Sequence, residues 1–389
     1  MFRVEILGGV GEYGRNCFYV ENAGSAILLD CGVTNNLEKT LPSLNREHME
    51  KLEAVFISHS HIDHTGALYV LDEWGSHAPI IMSEQTADQL GKFHPKTKTL
   101  DLKTYRKWSV VNEHIRFRWG FSGHLLGSVW YEIELNGETI FYSGDYVSDS
   151  YLHKADLPDF GETDYRLALM DSGHIEKDIN NPDTLRQLLD YIDKTKEGPF
   201  IIPSSFSGKT ADWALYLFQN GKREIFVDNR LHAFFVAYEN AGVYLKEGLA
   251  SLIHTFNQTC LTQKFSFDSN SICFVCEDEE MIERLYEACP NAKLIVTGYS
   301  KPPLYEQFNH EGRCIEFFYK THPDKADLRN LVKQIRANEW IFFHSPYVNE
   351  LKVFKSEVSN NRPIRMEDRI IPDHINCLFD CSISSKSGY

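Results

Sequence analysis

The start of the chain alternates short apolar runs with glycine turns. Arg3 to Leu7, Cys17 to Glu21 and Ser25 to Leu29 each read as a strand, and the stretch Gly8-Gly9-Val10-Gly11-Glu12-Tyr13-Gly14-Arg15-Asn16 separates the first two. The spacing of these glycines matches neither a Walker nor a Rossmann turn, and no helical pattern follows, so tight turns account for them. Ala54 to Ile57 reads as a buried strand that breaks at once into the polar stretch Ser58-His59-Ser60-His61-Ile62-Asp63-His64, with Thr65-Gly66 closing the loop. Ile115 to Trp119, Glu138 to Tyr142 and Leu167 to Met170 are further strands.

After residue 176 the periodicity changes. Asp183 to Lys194 carries Leu185, Leu188, Leu189 and Ile192 at helical spacing. The strand Pro199 to Pro203, the helix Ala211 to Asn220, the strand Glu224 to Val227, the helix Glu279 to Ala288 and the strand Lys293 to Val296 follow. Such alternation predicts a parallel-sheet α/β unit over 177–312. The first pattern resumes with a strand Cys314 to Tyr319, a helix Lys325 to Ala337 and a strand Trp340 to Phe343. The predicted division is one domain made of 1–176 and 313–389, with 177–312 inserted into it, and a tail frayed from about Ser382.

Composition narrows this picture. With 389 residues, 42 % of them hydrophobic, the chain can bury more than one core. No apolar run approaches the ~20 residues of a membrane span, and Met1 to Leu7 reads as a strand rather than a signal peptide, so a cytoplasmic protein without a membrane partner is expected. The nine cysteines are odd in number and show no paired framework; Cys273 and Cys276 read as strand residues rather than as a zinc ribbon. A net charge of −15 argues against a broad nucleic-acid face. Gly91 to Trp108 runs against that charge: Lys92, Lys96, Lys98, Lys103, Arg106 and Lys107 face one acid, Asp101, with Tyr105 and Trp108 among them. This stretch suits a single nucleic-acid strand, with cations on phosphates and rings on bases, or equally a solvated surface helix.

The concentrated chemistry lies between His59 and His64. Residues two apart on extended chain share a face, so His59 and His61 can grip one ion, while Asp63 and His64 can serve a neighbouring one. His124, in Phe121-Ser122-Gly123-His124-Leu125-Leu126-Gly127-Ser128, can complete a three-histidine set. Asp145, in Tyr142-Ser143-Gly144-Asp145-Tyr146, is the natural bridge, because one carboxylate can hold two cations about 3.5–4 Å apart. Asp30 ends a strand, where it either accepts a ligand histidine's other ring N–H or merely caps the turn. Asp171 ends another strand, and His322 and His344 each follow one.

Together these motifs resemble the metallo-β-lactamase superfamily and, within it, the β-CASP nucleases, whose members include ribonuclease J and the cleavage-and-polyadenylation endonuclease. The resemblance implies an αββα sandwich with an inserted β-CASP parallel-sheet α/β domain. It implies two zinc ions, with manganese a chemically tolerated substitute. His59, His61 and His124 would hold one ion, Asp63, His64 and His344 the other, with Asp145 bridging. Hydroxide between the ions would attack the phosphorus of single-stranded nucleic acid, RNA in the first instance; His322 would protonate the leaving oxygen and Asp171 would orient it. Asp324 lies in the same H-x-D motif as His322. The family's glycine-arginine loop is here Phe206-Ser207-Gly208-Lys209, so Lys209 keeps the cation but not the forked donor. Lys320-Thr321 stands where the family has serine-alanine, and Ser345-Pro346 where it has glycine-glutamate. The C-terminal domain of ribonuclease J has no room here, so assembly through it is not expected. A lactamase-fold hydrolase of a small ester, thioester or nucleotide, and a non-catalytic RNA-binding relative, are the alternative readings.

Overall fold

The structure is a computed structural model that describes residues 1–91, 95–158, 163–263, 267–297 and 303–359. The expected frayed tail from Ser382 lies outside the described residues, as does Lys92. Among the described residues, no helix is long and apolar enough to cross a membrane.

Two six-stranded sheets face each other. One runs Phe2–Gly8, Cys17–Asn22, Ser25–Leu29, Leu52–Phe56, Ile80–Met82, Thr97–Thr99, antiparallel over the first two pairings and parallel thereafter. The other runs Ala337–Phe343, Tyr165–Asp171, Glu138–Tyr142, Val129–Leu135, Ile115–Phe121, Ser109–Val110. Side chains alternate across a strand, and the alternation here assigns each to a layer. Phe18, Val20, Ile27, Leu29 and Phe56 of the first sheet meet Phe117, Trp119, Tyr131, Ile133 and Tyr142 of the second in one buried cluster. The other parity of the first sheet, Tyr19, Ala26, Leu28 and Val55, packs on Val70, Leu71 and Ala87 from the helices Leu68–Glu73 and Glu84–Gln89. That of the second sheet, Phe141, Ala168, Met170 and Phe342, packs on Leu328, Leu331, Leu351 and Phe354 from the helices Lys325–Gln334 and Val348–Ser359. The layers are therefore helix, sheet, sheet, helix.

A third sheet is wholly parallel: Glu224–Val227, Ser271–Cys276, Phe200–Ser204, Lys293–Val296, Cys314–Glu316. Its strands are near-continuous apolar runs because helices cover both faces. Cys273 and Cys276 lie within its strand, three residues apart and so on opposite faces. All seven cysteines of the described residues are free thiols.

Two expected boundaries move. The strand predicted over Cys314 to Tyr319 covers only Cys314–Glu316 and pairs with Lys293–Val296, so it closes the parallel sheet rather than reopening the first domain at 313. The helix expected to reach Ala337 stops at Gln334, and Ala337 already opens the strand Ala337–Phe343. Leu331 and Val332 gave a helical period, but Trp340 to Phe343 alone concealed how far the strand extends, because Asn338 and Glu339 are polar at its exposed end.

Candidate metal centre

The strands that carry the chemistry all end at one rim of the sandwich. Glu138–Tyr142, Tyr165–Asp171 and Ala337–Phe343 are parallel neighbours, registered Tyr142 to Leu169 and Asp171 to Phe343, which brings Asp145, Asp171 and His344 side by side. Ile115–Phe121 runs the same way, two antiparallel steps along, and delivers His124. The facing sheet contributes His59 to His64 from the loop after Leu52–Phe56. That loop makes a single turn of helix, Ile62–Thr65, which buries Asp63 and His64.

Two sets of ligand atoms converge there. His59 Nε2, His61 Nδ1 and His124 Nε2 approach to 3.0 and 3.1 Å, with Asp145 Oδ2 3.6 Å from the first and the third. His344 Nε2 lies 3.0 Å from Asp63 Oδ2 and 3.6 Å from Asp145 Oδ2, and His64 Nε2 lies 3.2 Å from Asp145 Oδ1. Within each set the ligand atoms lie within 4.8 Å of one another.

Neighbouring groups fix which nitrogen faces inward. His124 Nδ1 donates to the Thr321 carbonyl at 2.7 Å and His64 Nδ1 to Asp30 Oδ2 at 2.6 Å, so both rings turn Nε2 toward the rim. Asp30 is fully buried and also accepts from Ser58 N and Ser58 Oγ, both at 2.7 Å, and from the Tyr142 hydroxyl. It thus sits beneath the metal loop. Asp30 and His344 both hold left-handed backbone, φ 55° and 65°, uncommon for residues with a side chain; His344 is pinned by its N–H on the Gly9 carbonyl at 2.7 Å.

This donor set fits a divalent cation. Burial pushes the His59, His61 and His124 rings down, the last to about 3, which keeps them neutral and able to ligate. Burial opposes ionisation of Asp63 and Asp145 as well, yet the neighbouring histidines outweigh it and hold both carboxyls below their ordinary range. Burial likewise opposes charge on His344, yet Asp145 and Asp63 pull it up to about 9. The rim therefore attracts positive charge, and the buried Asp145 Oδ1 makes no hydrogen bond within the protein. Residues 10–169 match the Metallo-beta-lactamase superfamily.

Over that stretch the chain is similar to the metallo-β-lactamase superfamily.

Within that superfamily it is similar to β-CASP nucleases. It is 25 % identical over 403 residues to an RNase J-like protein of Methanocaldococcus jannaschii, covering 87 % of this chain and 91 % of the relative. It is 27 % identical to transcription termination factor FttA of the same organism over 65 % of this chain, and 29 % identical to cleavage and polyadenylation specificity factor 73 of Drosophila melanogaster over 41 %. These alignments span only 43 % and 27 % of those two relatives. A crystal structure of a protein of unknown function from Enterococcus faecalis V583 shares the fold, with a TM-score of 0.61 and 14 % identity over 95 % of this chain and 98 % of that one. The likeness to that superfamily and the His/Asp clusters together suggest a divalent metal.

The remaining sequence candidates fall into place unevenly. His322 Nδ1 lies 3.0 Å from Asp171 Oδ2 and 3.7 Å from Asp145 Oδ2, at the edge of the rim. Asp171 is fully buried and also accepts from Tyr146 N and Gly173 N. Asp324 serves structure: it caps the helix Lys325–Gln334 through Ala326 N and Asp327 N and takes Lys320 Nζ at 3.2 Å. Lys209 Nζ donates to Thr297 Oγ1 at 2.5 Å.

The basic tract is neither a helix nor an open stacking face. Thr97–Thr99 is an edge strand and Leu102–Thr104 a single 3-10 turn. Tyr105 stacks on Phe121 at 4.8 Å and bonds Asp156, while Arg106 donates to the Leu157 carbonyl at 3.0 Å. Trp108 lies under the guanidinium groups of Arg116 and Arg118 at 4.6 and 5.2 Å. Tyr105 is thus engaged by the protein, whereas Trp108 stays exposed, as do Lys103 and Lys107 beside it.

Sequence reasoning overlooked Ser58, Tyr142, Asn16 and His174. Asn16 Nδ2 reaches to 2.9 Å from His64 Nε2, and the His174 ring meets the edge of His322 at 5.0 Å. His174 was readable as a histidine three residues after Asp171, but nothing local marked Asn16 among its glycines.

Proposed function

We propose that this metal-dependent hydrolase is a two-zinc ribonuclease that cuts single-stranded RNA. In this reading His59, His61 and His124 hold one ion, Asp63, His64 and His344 the second, and Asp145 lies between them. The observation that carries it is the pair of donor sets meeting at one carboxylate, with the His322–Asp171 couple 3.7 Å away through Asp145. The similarity to nucleases over most of the chain supports it, as does the inserted parallel sheet, which we assign to roughly 177–316.

When bound, the ions supply Lewis acidity at the phosphate and lower the pKa of water between them. The chain's own residues do the rest. Asp171 accepts from His322 Nδ1 and so leaves Nε2 to carry the proton that the departing oxygen takes. After transfer the ring is neutral and still donates Nδ1–H to Asp171, so it does not turn away. Asp30 and the Thr321 carbonyl keep two ligand rings in the tautomer that presents Nε2.

The test is cleavage of end-labelled single-stranded RNA by protein whose bound metal has been counted, beside His322→Ala. About two zinc ions per chain, with cutting that the substitution abolishes, is the expected result. RNA left intact by the loaded protein, with an Asp63→Ala, His64→Ala control behaving the same, would sink the proposal.

A further inference from the structure

A cavity of about 840 Å³ opens directly beside the metal rim, with His61 in its wall. Its size is that of a small-molecule pocket. The loop and helix of the first sheet supply one side, and Phe206 with the helix His232–Ala237 the other. Leu125 and Leu126, both buried, form an apolar floor. Phe206 is 57 % exposed and lies 5.9 Å from the half-buried Phe234, so two aromatic rings line this space.

The polar side of the cavity is one-sided in character. Glu84 and Asp88 line it, and neither makes an ion pair with a described residue. Gln85 Oε1 is buried there without a hydrogen-bond partner. Among the described residues, no lysine or arginine lines it. Phosphate is therefore repelled. What fits is a flat ring that stacks on phenylalanine and brings hydrogen-bond donors to carboxylates.

Resting on the ribonuclease reading, we propose that this cavity receives the base of the nucleotide next to the scissile phosphate and selects guanine. Guanine presents two adjacent donors, N1–H and the 2-amino group, which match the two oxygens of one carboxylate. Uracil presents a single N–H between two carbonyls, which carboxylates disfavour. The backbone would pass His61 and the metal rim while only the base enters between Phe234 and the acidic side.

The test has a binding arm and a cleavage arm. Calorimetric titration of the full chain with guanosine 5′-monophosphate and with uridine 5′-monophosphate, metal-loaded and in chelator, reads the pocket without turnover. Roughly tenfold tighter binding of the guanosine nucleotide is expected, falling to the uridine level in Glu84→Gln/Asp88→Asn. Phe234→Ala is expected to weaken both nucleotides about tenfold, the usual effect of losing one stacking partner. In cleavage of a mixed-sequence RNA, cuts should cluster at a fixed step from guanine, and the cuts that the double variant makes should lack that bias. Equal binding of the two nucleotides, or a guanine bias that survives the double variant, would overturn the inference. Failure of the loaded wild type to cut any RNA would instead count against the ribonuclease reading, with the nucleotide titrations still deciding the pocket.

Discussion

A Cβ atom placed on Gly173 would stand 2.6 Å from Cγ of His322. The glycine is there for space: the His322 ring reaches Asp171 only because nothing protrudes from the turn that follows it. Gly173→Ala should push the ring aside by about an ångström and lower single-turnover cleavage about 100-fold, since misplacement on that scale costs this much. Metal content should not change. A rate within threefold of wild type would mean that the position of this ring is not critical.

Replacing the acid itself separates its role from folding. His322→Ala should lose about 10²- to 10⁴-fold in rate on RNA while binding the same number of ions. On a phosphodiester with a nitrophenolate leaving group, which departs without a proton, the loss should shrink to a few-fold. Equal losses on both substrates would assign His322 to metal holding instead.

Metal removal should also be a folding measurement. The ligands come from both facing sheets, so an ion held there binds the native state alone. At a free concentration 100 times its dissociation constant, one ion adds about 2.7 kcal/mol. For a chain of this size that is about 3 °C in melting temperature, lost on chelation. Asp63→Ala/His64→Ala should lower the count by about one ion per chain and show a correspondingly smaller shift.

Much of this was legible before any coordinates. The strand before Ser58 and the period-two placement of His59 and His61 are local signals, and local signals survive without tertiary context. The same holds for Asp145, whose glycine neighbour marked a strand end. Asn16, Ser58 and Tyr142 were invisible because they act through contacts made across the sandwich, and their residue types are common everywhere. In the basic tract, composition could not show that Phe121 and Asp156, distant in sequence, engage Tyr105, or that Arg116 and Arg118 lie over Trp108. The five-stranded sheet was read correctly as parallel, yet its last strand was assigned elsewhere because three residues carry no period.

Acid should loosen the junction around Asp212. This buried carboxylate on the helix Gly208–Asn220 accepts from Ser150 Oγ at 2.8 Å, Tyr151 N at 3.0 Å, Leu152 N at 2.9 Å and the Tyr319 hydroxyl at 2.5 Å. Burial pushes its pKa up, but His153, Tyr319 and the Leu152 N–H outweigh that and hold it below the ordinary value. A carboxyl depressed in the folded state contributes stability that is complete above its unfolded pKa, about 3.9, and lost as pH falls through the folded value. Asp212→Asn should therefore cost about 3–5 kcal/mol at pH 7, with the gap to wild type closing below about pH 4. Urea unfolding at several pH values, with chelator throughout so that ion release does not intervene, checks this. A gap that stays constant with pH would show that the charge is not what matters.

The contact between His344 and Asp63 spans 281 residues of chain. During synthesis His59, His61, Asp63, His124 and Asp145 all precede the parallel sheet, whereas His344 follows it. The set that Asp63 and His344 share therefore closes only after the parallel sheet has been made.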